Sequence, residues 1–187
     1  MSPTTTPGPE AVVPPRGPEL PAPGEVFLAH YGKCFGCGAD HPNGLHVQST
    51  AGEGMNLRAV FEVGEWHQGA PGLAHGGVLT AAVDDALGYL NRLLSTPAVT
   101  ARLETEFVRP VPVGAKLVLD AEILGVAGRK VYVAAIGRLG EDGPVALRAS
   151  ALFIQVPMGH FRKNGRPEDV AAFAAQGPTG LWADLNP

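Results

Sequence analysis

Hydrophobic and polar positions alternate with a period of two in two early runs, Leu45-His46-Val47-Gln48 and Leu57 to Val63. That spacing sends alternate side chains to one face of a strand. Gly52-Glu53-Gly54 between the runs predicts a turn. The period then changes: Leu79, Val83, Ala86, Leu87, Leu90 and Leu94 fall on one face at helical spacing. Ser95-Thr96-Pro97 is a natural stop. Four further strand-like runs follow, at 99–108, 115–125, 130–139 and 145–156. Val113-Gly114, the stretch from Gly125 to Gly128, and Gly140-Glu141-Asp142-Gly143 separate them. Two strands, one helix and four strands predict an α+β domain, an antiparallel sheet of about six strands wrapped around one long central helix.

The ends of the chain read differently. Residues 1–24 hold eight prolines and few large apolar residues, with no charged n-region leading into an apolar run, so a disordered tail is expected there. A Pro-rich binding segment lacks a PxxP core flanked by basic residues. The folded domain is expected over 25–156, followed by a C-terminal extension, 157–187, with a short helix from Pro167 to Ala175. Trp182 suggests that part of the last dozen residues is held down.

Composition narrows the picture. With 187 residues, 45% hydrophobic and 17% charged, the chain can bury one sizeable core, and no apolar run approaches the ~20 residues of a membrane span. The net charge of -4, with no Lys/Arg stripe or aromatic-basic interleaving, argues against nucleic acid as a partner. The two cysteines, Cys34 and Cys37, could be drawn with His41 and His46 as a C-x2-C-x3-H-x4-H zinc site. The expectation is instead packed, reduced thiols in a cytoplasmic protein, with Gly36 and Gly38 shaping a turn and no metal.

Candidate chemistry concentrates between His67 and Gly88. A loop with glycines at 69 and 72 leads through His75-Gly76-Gly77 into the helix. Glycines allow backbone conformations closed to other residues and let a ligand approach the first amides of the helix. Those amides have no partner inside the helix and sit at the positive end of its dipole, a place for a developing oxyanion. On a wheel of about 100 degrees per residue, Asp84 lies at the border of the apolar stripe and Asp85 points away near Arg92. Asp84 is therefore the expected functional carboxylate and Asp85 a solvated or paired charge. From Gly76 to Asp84 is about 12 Å along the axis at roughly 1.5 Å per residue. Amides and carboxylate can then cooperate only across a twofold interface with antiparallel helices.

His75-Gly76-Gly77 with Asp84 nine residues after the histidine resembles the PaaI-type acyl-CoA thioesterases of the hotdog fold, most nearly the branch containing the mammalian thioesterase superfamily members. The likeness extends through Thr100-Ala101-Arg102-Leu103, Phe107 to Gly114, and Gly128-Arg129-Lys130. Cys34-Phe35-Gly36-Cys37-Gly38 with Pro42-Asn43-Gly44-Leu45 is similar to the entry segment of many bacterial members. The resemblance implies a hydrolase that cleaves an acyl-CoA to free acid and CoA without a cofactor, as a homodimer or dimer of dimers.

By that resemblance, Gly76 N–H, helped by Gly77, polarises the thioester carbonyl. Asp84 of the partner subunit is base or nucleophile, and Thr100 orients water or carboxylate, unless it is simply a β-branched strand residue. His75 matches the loop histidine, with a structural or an acid-catalytic role; His67 is a second pocket histidine or a surface residue. Arg109, Arg129 and Lys130 are candidates for CoA phosphates. Several such enzymes carry an Asn six residues before the loop histidine. Here that position is Gly69, which leaves Gln68 as a substitute amide. Two other readings stay open: an acyl-CoA-binding module without turnover, and an enoyl-CoA hydratase, for which no histidine follows Asp84 or Asp85 within the helix.

Overall fold

A computed structural model describes residues 4–175; Trp182 and the last dozen residues lie outside them. The strands are β1 (Gln48–Ala51), β2 (Asn56–Glu62), β3 (Gln68–Ala70), β4 (Leu73–Ala74), β5 (Ala98–Phe107), β6 (Lys116–Ala127), β7 (Lys130–Leu139) and β8 (Val145–Gln155). Helix α1 spans Gly76–Tyr89, and two short helices, α2 (Gly159–Asn164) and α3 (Pro167–Ala175), follow the last strand. Six strands form one antiparallel sheet in the order β1-β2-β6-β7-β8-β5, and β3 with β4 makes a separate small hairpin. The first strand begins at Gln48 rather than Leu45, and the loop before α1 contains the hairpin, which the glycines had hidden.

Alternation decides which face each strand buries. Leu117, Leu119, Ala121 and Ile123 of β6 and Val131, Val133 and Ala135 of β7 point to one side. They meet Leu79, Ala82, Val83, Ala86, Leu87 and Leu90 from the central helical segment. Leu87 and Leu90 are fully buried, each worth about 1.5–3 kcal/mol of transfer free energy. A 3₁₀ segment, Leu90–Leu94, extends α1 until Ser95 turns left-handed at φ 49 and Pro97 follows.

Residues 4–24, expected as a disordered tail, instead lie along the domain. Thr5 is buried, donates to Glu104 Oε2 at 3.0 Å and accepts from Ser150 Oγ at 2.9 Å. Val12 bridges Val126, and Ala11 rests on Gly125, where a Cβ would approach within 2.9 Å. Tyr132 and Leu152, paired across β7 and β8, belong to the outer face and are buried beside this strap. Arg16 donates to the carbonyls of Gly54 and Pro21. Further on, Phe27 N–H donates to Ser49 O and Ala51 N–H to Glu25 O, which covers the β1 edge. At the opposite edge of the sheet, β5 has no strand beyond it among the described residues.

Candidate active site

The loop before α1 is held by its own side chains. Gly72 has φ +73, a conformation that favours glycine, and its N–H donates to Gln68 Oε1 at 2.6 Å. The Gln68 amide also donates to Glu65 O at 2.9 Å, so both ends of this side chain are used in the loop. His67 Nδ1 accepts from Gly64 N–H at 2.8 Å, and its ring lies 5.2 Å from that of Phe61. Burial, and secondarily His46, lowers its pKa. Gly69 serves a different purpose from Gly72. A Cβ there would come within 2.8 Å of the His75 Cα, so glycine is required by close approach rather than by its dihedrals.

His75 is the N-cap of α1, and its Nδ1 accepts from Gly77 N–H at 2.9 Å. The Val78 and Leu79 amides donate to His75 O at 3.0 and 3.1 Å. Gly77 is thus already partnered, while Gly76 N–H has no acceptor among the described residues. Phe107 closes over Gly76, its Cζ 3.3 Å from where a Cβ would stand.

Two turns along α1, Asp84 is half-buried and accepts from Thr100 Oγ1 at 2.9 Å. Burial pushes its carboxyl up; the Thr100 hydroxyl pulls it partly back, and Cys34 adds a smaller push upward. No cation among the described residues is paired with it. Arg92 donates to Leu28 O at 2.6 Å and lies over the Phe27 and Tyr89 rings, while Arg102 pairs with Glu104 at 2.7 Å. Asp84, Thr100 and Arg92 line a cavity of about 380 Å³ together with Asp85, Cys34 and His30.

Asp85 is not the solvated charge its wheel position suggests. The entry segment covers it: Oδ1 lies 3.6 Å from Cys34 Sγ, and Oδ2 is buried with no hydrogen-bond partner among the described residues. A side chain at Gly36 would overlap this carboxyl group. Burial, reinforced by the Cys34 sulfur, pushes it up to about 7. Nor do His41 and His46 join the cysteines. His41 Nδ1 accepts from Asn43 N–H at 3.2 Å and its ring meets Phe35; His46 is exposed with φ 52. His30 takes their place, its Nδ1 3.3 Å from Cys37 Sγ. The interaction between the two sulfurs lowers the pKa of Cys34 and raises that of Cys37. The signal that would have found it is the spacing H-x3-C-x2-C across His30, Cys34 and Cys37.

The three basic candidates do not form one patch within the chain. Arg109 follows the end of β5, near Ala146, whereas Arg129 and Lys130 sit at the β6–β7 turn beside Ile154 and Gln155. These are opposite ends of β8. All three are exposed.

An antiparallel six-stranded sheet curled around a single central helix, with a cavity between helix and edge strand, defines the hotdog class of domain. Residues 71–146 match the thioesterase superfamily model. Among curated relatives, the acyl-coenzyme A thioesterase THEM4 of Xenopus laevis is 30% identical over 97 residues, 52% of this chain and 44% of that protein. THEM5 of mouse is 30% identical over 99 residues, 53% and 40% of the two chains. This chain therefore spans less than half the length of those relatives. A crystal structure of a thioesterase superfamily protein superposes with a TM-score of 0.58 at 30% identity, covering 63% of this chain and 60% of that one. Escherichia coli PaaI (TM-score 0.57, 15% identity, 60% and 81% covered) and a Streptococcus mutans protein bound to acetyl-CoA (0.54, 17%, 58% and 86%) share the fold.

Proposed function

We propose that this protein is an acyl-CoA thioesterase whose active site is completed by a second copy. The observation that carries the reading is Asp84: a half-buried carboxylate with a hydroxyl partner and no cation, facing a cavity on the central helix of a thioesterase superfamily domain. Burying a carboxylate this way is costly unless it has a task. Acyl-CoA is the ligand class suggested by the names of the THEM relatives and by the acetyl-CoA complex of the Streptococcus mutans protein.

Asp84 and Gly76 lie about 12 Å apart along one helix, too far to serve one carbonyl. The open β5 edge supports a solution. Gly76 lies by Phe107 at the C-terminal end of β5, and Asp84 by Thr100 at its N-terminal end. Antiparallel pairing of β5 with the same strand of a second copy brings Gly76 of one copy toward Asp84 of the other.

In the reaction, the thioester oxygen accepts from Gly76 N–H as negative charge develops on it. Asp84 either takes a proton from the attacking water or attacks the carbonyl itself. The C–S bond breaks, and the CoA sulfur leaves as thiolate and is protonated; the acid's new oxygen comes from water when Asp84 is the base, and when Asp84 is the nucleophile water opens the mixed anhydride, entering either the acid or the Asp84 carboxylate. Thr100 holds one carboxylate oxygen in place. His75 fixes the loop by capping α1, which leaves Gly76 as the free donor.

The test is thiol release across acyl-CoAs from acetyl to palmitoyl and phenylacetyl, for wild type and Asp84→Asn. Turnover should fall by orders of magnitude in the variant while the protein stays folded and dimeric. Equal turnover in both would remove Asp84 from the chemistry. A single turnover in ¹⁸O-water, followed by mass analysis, that leaves label in Asp84 would identify it as the nucleophile.

A further inference from the structure

We propose that His30, Cys34 and Cys37, with Asp85 as fourth ligand, form a tetrahedral site for a zinc-class divalent cation that ties the entry segment to the central helix. One ligand atom from each of His30, Cys34 and Cys37 lies within 4.8 Å of the others, and Asp85 Oδ1 is 3.6 Å from Cys34 Sγ. Four donors arriving from a C-x2-C turn, an upstream histidine and a helix carboxylate match the ligand number and types of structural zinc sites.

Independent features point to a ligand at the centre of this cluster. Asp85 Oδ2 is buried without a partner, an expense for a carboxylate unless a cation meets it. The turn is built around its two sulfurs. Gly38 N–H donates to Cys34 O at 2.9 Å, and a side chain at Gly38 would overlap the backbone of Gly32 and Cys34. Gly36 is pressed against the Asp85 carboxyl in the same way. The support continues outward: the Tyr89 hydroxyl and the Arg92 guanidinium both donate to Leu28 O, two residues before His30, which holds that stretch of backbone against the helix.

The donor set selects the metal. Two thiolates and an imidazole favour zinc over magnesium or calcium, which prefer all-oxygen shells. Binding displaces the thiol protons of Cys34 and Cys37 to solvent; two thiolates and one carboxylate against a dication leave one net negative charge. With four protein ligands the coordination is closed, so the cation anchors the fold rather than activating water. The site stands independently of the hydrolysis reading, and its test does not use activity.

The full chain, produced without a polyhistidine tag, is analysed for metal and then titrated with Co(II) after removal of zinc by a chelator. About one zinc per chain is expected, with thiols that react with a disulfide reagent only after chelation. The cobalt form should show thiolate-to-metal charge-transfer bands and the intense visible bands of tetrahedral Co(II). Cys34→Ser and Cys37→Ser should abolish the charge-transfer bands or halve them. Asp85→Asn should weaken cobalt binding by on the order of tenfold or more, at least what loss of an outer-shell partner costs. His41→Ala and His46→Ala should leave binding unchanged. The proposal is overturned if wild type supplied with zinc binds none and its thiols react freely. A Cys34–Cys37 disulfide in the purified chain that persists beside added zinc, or loss of metal in His41→Ala, would overturn it equally. The wild-type spectrum decides the matter even if a cysteine variant does not fold.

Discussion

Thr100→Val is the most informative single change at the candidate site. Valine keeps the β-branch that suits a strand and removes the hydroxyl that donates to Asp84 Oδ1 at 2.9 Å. A hydrogen bond to a charged group is worth about 1.5–3 kcal/mol. Thr100 is exposed, so solvent screening places this one near the lower end, about 1.5 kcal/mol. The sign follows from the ionised form being the one stabilised: the hydroxyl lowers the Asp84 pKa against the upward push of burial. Its loss moves the pKa up. In the proposed reaction Asp84 works ionised, so activity rises with pH through that pKa, and the acidic limb of the kcat/KM profile should shift to higher pH. The plateau above it should be largely kept, and Thr100→Ser should leave the limb in place. A pH series of thiol-release assays reads this directly. A uniform loss at every pH, or a limb moving to lower pH, would refute the reasoning.

Gly69→Asn, which installs the amide common in the resembled enzymes, should destabilise the protein by about 1–3 kcal/mol, because the new side chain meets the His75 backbone at 2.8 Å. Thermal unfolding checks it; an unchanged midpoint with a faster enzyme would show that the loop can make room. Deleting residues 1–12 uncovers the strip around Tyr132 and Leu152 and should cost about 2–4 kcal/mol at ordinary burial values, an upper estimate. A urea midpoint indistinguishable from wild type would mean that the strap contributes nothing to stability.

The sheet and central helix were legible because their signals are local. Alternation at Leu57 to Val63 and the stripe through Leu79, Val83, Ala86 and Leu90 need only neighbouring residues to be read. The strap was not, since a proline-rich segment has no period, and Thr5 is ordered by Glu104 and Ser150, about a hundred and more positions away. Asp85 misled for a related reason. A helical wheel describes a helix against one layer, whereas this helix is covered on a second side by the Cys34–Gly38 turn, which makes its outward carboxylate an interior one. Histidine spacing erred in direction: the ring near the cysteines comes from upstream, and His46 is turned away by its own left-handed backbone.

The cover over β1 sets how many copies the sheet can recruit. Glu25 to Phe27 occupy the hydrogen-bonding groups of one border, and β5 has no strand beyond it among the described residues. A sheet with two open borders could grow without limit into a fibre, each copy templating the next. With one border closed, the proposed strand addition through β5 would terminate at a pair. The Glu25–Phe27 segment thereby acts as a chain stopper, placing the end of polymer growth inside the monomer.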